Sequence, residues 1–123
     1  MNTIDWSHID TTLLDPAFFA KAQGVLAACL AHGQTYRPYF GYRSPAVQEV
    51  LWLKYQAGGP RAASPQYSRH CQGKAIDVVA LNSDGSQDWA TAAYGLLHDQ
   101  AEVFGMGTGA SYGDFDHLSI DGR

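Results

Sequence analysis

The segment Ser68-Arg69-His70-Cys71-Gln72-Gly73-Lys74-Ala75-Ile76-Asp77 runs directly into the β-branched residues of Ala75–Leu81 (AIDVVAL). The AIDVVAL stretch is bounded by the turn sequence NSDG, a pattern typical of a buried central strand. The residues before it follow neither a helical nor a strand period, which predicts an exposed loop over 61–69. Polar side chains on this loop are therefore carried to the beginning of a rigid strand.

The spacing of His70 and Asp77 restricts how these two side chains can cooperate. In a straight strand their backbones would lie about 23 Å apart with the side chains on opposite faces, and in a helix ~10 Å apart. Neither distance allows both to bind one metal ion at bond lengths near ~2 Å. A tight reversal would allow it, and Gly73 supplies the residue that such a reversal favours.

Three helices are predicted, two before this segment and one after it. Asp15-Pro16 and Ser44-Pro45 each join an N-cap residue to a proline at the first helical position, and these helices end near Gly33 and Gly58. Ser86 is interpreted as the cap of a third helix that runs towards Phe104 and places Trp89 in the core.

The remaining patterns predict strands. The aromatic stretch at residues 35–43 contains Pro38, which favours an edge position, and FDHLSI at residues 115–120 predicts the last strand. The first predicted element is a helix, and the strands are scattered between the helices along the chain. This order predicts an α+β fold, in which a small antiparallel sheet has helices packed on one face.

Length and charge exclude several classes of function. The chain of 123 residues has the length of one domain, 1–123, and its net charge of −4 argues against sequence-independent nucleic-acid binding. The sequence offers neither an apolar span nor a signal peptide. We therefore expect a monomer that binds no nucleic acid or membrane and is made in the cytoplasm. The two cysteines, Cys29 and Cys71, do not form a disulfide framework, although the sequence leaves a bridge between them open.

Two further clusters carry chemically useful side chains. Asp114-Phe115-Asp116-His117 places two carboxylates beside a histidine, and its alternative interpretation is a solvated acidic turn. Gly41-Tyr42-Arg43-Ser44 presents an arginine, the side chain best shaped to hold a carboxylate or a peptide carbonyl, at the end of a strand. The strand period does not decide which of Asp114 and Asp116 faces the same side as His117.

Together and in this order, the three segments resemble the zinc peptidases that include D-alanyl-D-alanine carboxypeptidases, dipeptidases and the L-alanyl-D-glutamate endopeptidases of phage endolysins, a fold shared with the hedgehog zinc domain. Three motifs carry the resemblance. S-x-H-x-x-G-x-A-x-D is matched at 68, 70, 73, 75 and 77, G-Y-R-S-x-x-x-Q at 41–44 and 48, and D-x-x-H at 114 and 117. The chain departs from the family at residues 105–109 and at Leu118, where tryptophans and another aromatic residue are common.

The resemblance implies a role for each matched residue. His70, Asp77 and His117 would bind Zn²⁺, and Asp114 would be the general base, with Asp116 as the alternative. Arg43 would hold the substrate carbonyl or the oxyanion, and Ser68 would bind substrate beside it.

The expected substrate is the peptide of peptidoglycan. Asp114 in D-x-x-H resembles the endopeptidase branch, which favours an endolysin-like enzyme that lyses the cell wall after release by a holin-like or secretion route. A toxin delivered to rival cells would have the same sequence features. The alternatives are a D,D- or L,D-carboxypeptidase that removes terminal D-alanine, and a non-catalytic zinc-binding module.

Overall fold

The computed structural model describes residues 3–123 and contains three α-helices and one sheet of five antiparallel strands within that range. The helices are α1 (Pro16–Ala31), α2 (Pro45–Gln56) and α3 (Gly95–Val103). The strands are β1 (Thr35–Phe40), β2 (Ala75–Leu81), β3 (Gln87–Asp88), β4 (Gly107–Gly109) and β5 (Asp114–Ser119), in the order β1-β2-β5-β4, and β3 pairs with the end of β2. The predicted α+β class is confirmed, with β1 at an edge and β2 inside the sheet.

The predicted beginnings of the first two helices are also confirmed. The Asp15 side chain accepts a hydrogen bond from the backbone N–H of Phe18, and Ser44 accepts one from Val47. Each cap is followed by proline at the first helical position, where the missing N–H costs nothing.

The hydrophobic core lies between α1, α3 and one face of the sheet. On β2, the alternate residues Ile76, Val78 and Ala80 belong to this core. Since successive strand residues point to opposite faces, Asp77 is directed to the other side of the sheet. Both faces of β2 are nevertheless well covered, because most of its residues are buried. That double burial explains why AIDVVAL is apolar almost throughout.

The third helix begins later than the sequence predicts. Ser86 does not cap a helix. It closes a β2–β3 hairpin, in which the Ser86 hydroxyl donates to Asp84 and the Ser86 carbonyl accepts from Asn82 N–H. The hairpin delays α3 to Gly95, after a short 3-10 turn at Thr91–Tyr94. Trp89 is consequently 54% exposed rather than in the core.

The second helix contributes almost nothing to the core. Gln48 is the one residue of α2 that is fully buried, whereas Val47, Val50 and Leu53 are exposed. α2 instead forms a wall of a cleft on the sheet face that carries Asp77. No helix within residues 3–123 is long and apolar enough to cross a membrane.

Candidate metal centre and active-site cleft

The structure brings together three side chains that the sequence analysis singled out. His70, Asp77 and His117 each offer a ligand atom, and these three atoms lie within 4.8 Å of one another. The Asp77 Oδ1 atom is 3.4 Å from His70 Nε2 and 3.3 Å from His117 Nδ1. Asp77 and His117 are direct partners across β2 and β5, so the sheet register sets their separation.

A tight turn carries His70 to the same point. His70–Gln72 form a short 3-10 turn that ends at Gly73 with φ +69°. A Cβ atom at residue 73 would lie 2.7 Å from the carbonyl oxygen of Leu13 and 2.9 Å from the backbone nitrogen of Asp15. Both the left-handed conformation and the close approach of the chain before α1 therefore require glycine. The predicted reversal between His70 and Asp77 is confirmed.

Backbone carbonyls orient both imidazole rings. His70 Nδ1 lies 2.8 Å from the Gly41 carbonyl oxygen, and His117 Nε2 lies 2.9 Å from the Arg123 carbonyl oxygen. A carbonyl only accepts, so these ring nitrogens carry the protons and donate. In the neutral rings, Nε2 of His70 and Nδ1 of His117 keep the lone pairs, and both atoms face Asp77. Such outer hydrogen bonds are typical of histidines that bind a metal.

The donor set fits a divalent cation. Burial opposes ionisation of Asp77. Without a cation, however, protonated His117 and His70 rings donate to it, and these hydrogen bonds and charges hold the Asp77 pKa below its usual range. The site therefore combines an ionised carboxylate with two imidazole nitrogens, all largely shielded from solvent. Two nitrogens and one oxygen are ligands that Zn²⁺ accepts, and three protein ligands leave one position open.

The two candidate carboxylates of β5 have different surroundings. Asp114 lines the cleft together with the three donors, whereas Asp116 accepts a hydrogen bond from the Tyr39 hydroxyl on β1. Desolvation, the neighbouring Asp116 and the charge of Asp77 raise the pKa of Asp114 to about 7, against an opposing effect of His117. Without a cation, the Asp114 carboxyl group can therefore both accept and release a proton near neutral pH.

The backbone of the glycine-rich strand β4 passes close to the backbone of Asp114. A Cβ atom at Gly109, the strand partner of Asp114, would lie 2.5 Å from the Asp114 carbonyl oxygen. The backbones can approach this closely only because residue 109 is glycine.

Arg43 is fixed at the edge of the cleft by three contacts. Its backbone N–H donates to the His70 carbonyl at 3.2 Å, and its Nη1 donates to Gln48 Oε1 at 2.8 Å. Its guanidinium carbon lies 4.4 Å from the centre of the Phe40 ring. Arg43 Nε has no hydrogen-bond partner within residues 3–123. That nitrogen is buried, so the donors left for a ligand are those of Nη2, for which no acceptor is found within residues 3–123.

Gln48 is a buried residue that the sequence analysis matched to a motif but gave no role. It is 2% exposed, and its Nε2 donates to the Ala63 carbonyl at 2.7 Å while its Oε1 accepts from Arg43. It thus links Arg43 to the loop that precedes His70. Its position in the motif, one helical turn after the N-cap Ser44, was the signal for this link.

The cleft itself has a volume of about 1310 Å³. Trp52 and Tyr55 of α2 line one side, residues 60–68 and Tyr112–Asp114 also contribute, and the metal ligands lie within it. Ser68, predicted to bind substrate, lines the cleft and is 4% exposed. Cys71 lies outside the three-ligand group, and both cysteines are free thiols.

An ion pair holds the last residues of the chain near His117. The Arg69 guanidinium donates to both carboxylate oxygens of Asp121, with Nη2–Oδ2 at 2.7 Å. Asp121 in turn accepts from the backbone N–H of Arg123 at 3.2 Å. This arrangement places the Arg123 carbonyl against His117, and no sequence pattern indicated it.

Comparisons with known structures support the fold. The chain is similar to the L,D-carboxypeptidase DacB from Streptococcus pneumoniae (25% identity, TM-score 0.59, 89% of this chain and 67% of that one). It is also similar in fold to the L-Ala D-Glu endopeptidase ChiX from Serratia marcescens (21%, TM-score 0.68, 94% and 88%). A third similar fold is that of the D,D-pentapeptidase VanY from a VanB-type resistance cassette, solved with Zn(II) (22%, TM-score 0.61, 86% and 71%).

The family assignment comes from the sequence itself. A search of curated proteins gives no significant match. The family profile described as VanY, D-alanyl-D-alanine carboxypeptidase, matches residues 11–109, well over half of the chain. The resemblance inferred from the three motifs is confirmed: the chain belongs to the VanY family of D-alanyl-D-alanine carboxypeptidases, peptidases that act on peptidoglycan.

Proposed function

We propose that residues 1–123 act as one zinc peptidase domain that cleaves the L-alanyl-D-glutamate bond of peptidoglycan stem peptides. The observation that carries the proposal is the convergence of His70, Asp77 and His117 in a cleft that also presents Asp114. Two further points favour the endopeptidase: the aspartate of the D-x-x-H motif, and the similarity in fold to ChiX over most of both chains.

His70, Asp77 and His117 would hold the metal through Nε2, Oδ1 and Nδ1. Zn²⁺ bound there lowers the pKa of a water molecule and polarises a carbonyl group. The chain's own residues supply the remaining steps. Asp114 accepts the proton of the attacking water and passes it to the leaving amine, because its carboxylate lines the cleft beside the metal ligands. Arg43 donates hydrogen bonds to the carbonyl oxygen as negative charge develops, and Ser68 binds the substrate beside it.

Product analysis tests this function. The protein is incubated with Zn²⁺ and defined muropeptides, and the products are identified by mass spectrometry. Fragments that result from cleavage between L-alanine and D-glutamate support the endopeptidase. Loss of single D-alanine residues supports the second candidate, a D,D- or L,D-carboxypeptidase, which the VanY family match and the similarity to DacB favour. Intact peptides would indicate a non-catalytic zinc module.

Lysis is a separate test of the endolysin-like role. Turbidity of outer-membrane-permeabilised bacteria should fall in the presence of the protein, and a chelator should prevent the fall. Cleavage of muropeptides without lysis of cells would contradict the endolysin-like role but would still support the peptidase activity.

Arg43→Lys is expected to retain zinc and fold but to lower kcat/KM by about 100-fold, the scale of a lost oxyanion donor. A single ammonium group cannot replace a planar fork that Gln48 and Phe40 hold in place. Steady-state kinetics and zinc analysis of the purified variant measure both effects. Near-normal turnover would show that Arg43 is a surface arginine that does not stabilise the oxyanion.

Arg69→Gln is expected to weaken zinc binding by up to about 10-fold, since outer hydrogen bonds tune metal affinity. The variant loses the ion pair that holds the Arg123 carbonyl against His117. Competition with a chromophoric chelator measures the affinity. Asp121→Asn should give a similar loss, and the double variant should lose little more than either single one, because the residues act as a pair. Strictly additive losses would contradict this coupling.

A further inference from the structure

The cleft is rich in basic side chains although the chain as a whole is acidic. Four of the eight Lys and Arg residues line it (Arg43, Lys54, Arg61 and Arg123), against the three acids Glu49, Asp77 and Asp114. Of these acids, Asp77 and Asp114 already have roles in the proposed reaction. None of the four basic side chains forms an ion pair within residues 3–123. Within residues 3–123, the cleft therefore offers basic side chains that are not held in ion pairs with carboxylate side chains.

Arg61 is the basic residue best placed to use this charge on a ligand. Its guanidinium carbon lies 4.7 Å from the centre of the Tyr112 ring, so the planar group rests against the wall of the cleft. This contact is made to an aromatic ring and not to a hydrogen-bond acceptor, so it leaves the N–H groups of Arg61 available. Arg43, by comparison, already donates to Gln48.

Tyr112 is itself held in place beside the reacting groups. Its hydroxyl donates to the Gly122 carbonyl at 2.9 Å. Burial and the nearby charges of Asp114 and Asp77 raise the pKa of Tyr112, while Arg61 lowers it. Arg61 and Tyr112 thus line the same cleft as Asp114 and the metal ligands, and Tyr112 lies within electrostatic reach of Arg61, Asp114 and Asp77.

The two bonds considered above share one chemical feature. When D-glutamate is linked onward through its side-chain carboxyl, the residue after the L-alanyl bond carries a free carboxylate on its α-carbon. A C-terminal D-alanine carries a free carboxylate at the same position. Both substrates therefore present the unit CO–NH–CH–COO⁻, with the anion on the carbon that follows the scissile nitrogen.

We propose that Arg61, supported by the Tyr112 ring, binds this α-carboxylate and makes the enzyme selective for an acidic residue immediately after the scissile bond. The inference rests on the proposed peptidase function and adds a specificity-determining residue to it. A guanidinium matches a carboxylate with two parallel hydrogen bonds, which neither an ammonium group nor an amide reproduces.

The experiment compares four peptides in two pairs. One pair carries D-glutamate with its α-carboxylate free or amidated, and the other ends in D-alanine or D-alaninamide. The zinc-loaded protein should cleave the acid of its preferred pair at least about 10-fold better in kcat/KM than the amide, the scale of a charge-assisted pair. The pair that is cleaved identifies which of the two substrates supplies the carboxylate.

The variants assign the selectivity to Arg61. Arg61→Gln should lose most of the preference through a higher KM for the acid, with little change for the amide and with zinc content and melting temperature unchanged. Arg61→Lys should retain part of the preference for the acid over the amide. The matched control Lys21→Gln removes one positive charge from an exposed position on α1 and should behave like the parent protein.

Two outcomes would overturn the inference, and each is distinct from failure of the proposed function. Equal cleavage of acid and amide by the parent protein, or full selectivity in Arg61→Gln, would exclude a carboxylate site at Arg61. If no peptide is cleaved, the peptidase function is wrong. Calorimetric titration of the same peptides then decides the inference, because equal affinity for acid and amide would contradict it.

Discussion

His70→Ala is expected to lose most of its zinc and all measurable peptidoglycan hydrolysis while it retains the fold. His70 is 6% exposed and supplies one of three clustered donors, so no other side chain of the group can replace it. Elemental analysis of the purified protein and assays on muropeptides measure the two effects. His8→Ala is the control, because His8 is exposed and far from the donors in sequence.

The same variant separates metal binding from a merely structural histidine. A ligand that binds only the folded state stabilises it by about 2.7 kcal/mol at 100 times its Kd, which corresponds to roughly 10 °C in Tm for a domain of this size. We expect Zn²⁺ to raise the Tm of the parent protein and of His8→Ala by this order, and to leave that of His70→Ala almost unchanged. Full zinc occupancy in His70→Ala would refute the three-ligand site.

Asp114→Asn is expected to keep zinc and fold but to lower the rate by about 100-fold or more, the usual scale for the loss of a general base. Asparagine retains the size of the side chain and a carbonyl oxygen, so the loss would report the missing proton acceptor. Asp116→Asn should be much milder, because its amide oxygen can still accept the hydrogen bond of Tyr39. Zinc content and hydrolysis of the two variants, measured side by side, test the assignment. A dead, zinc-loaded Asp116→Asn with an active Asp114→Asn would reverse it.

The pH profile gives this prediction a second readout. Only the ionised carboxylate accepts a proton, so a raised pKa means that activity is lost as the pH falls. The pKa of Asp114 is about 7 without a cation, and a bound cation lowers it. The acid limb of kcat/KM should therefore have its midpoint at or below about 7. Because Asp116 helps to raise this pKa, Asp116→Asn should move the limb to lower pH.

The sequence predicted the centre of the site well, because that centre is built from short-range rules. A reversal at Gly73 and a central strand at AIDVVAL follow from local chain geometry, and they suffice to place His70 beside Asp77. The position of His117 depends on pairing between strands that are distant in sequence. Only the resemblance to a family supplied it.

What the sequence failed to predict depends on tertiary contacts. The delay of α3 results from a hairpin in which Ser86 serves the turn instead of a helix, and a capping residue alone cannot distinguish these two uses. The ion pair of Arg69 with Asp121 joins residues 52 positions apart. The link between Gln48 and Arg43 likewise became visible only when the loop before His70 was in place.

The weak burial of α2 has a consequence for how this protein can change over generations. Gln48 is the one residue of α2 that is fully buried, so most substitutions along the helix disturb no packed side chain and should cost little stability. The same helix forms a wall of the cleft in which the peptide would lie. Mutation and selection can therefore remodel the cleft wall along α2 while the pairing of β2 with β5 keeps Asp77 opposite His117.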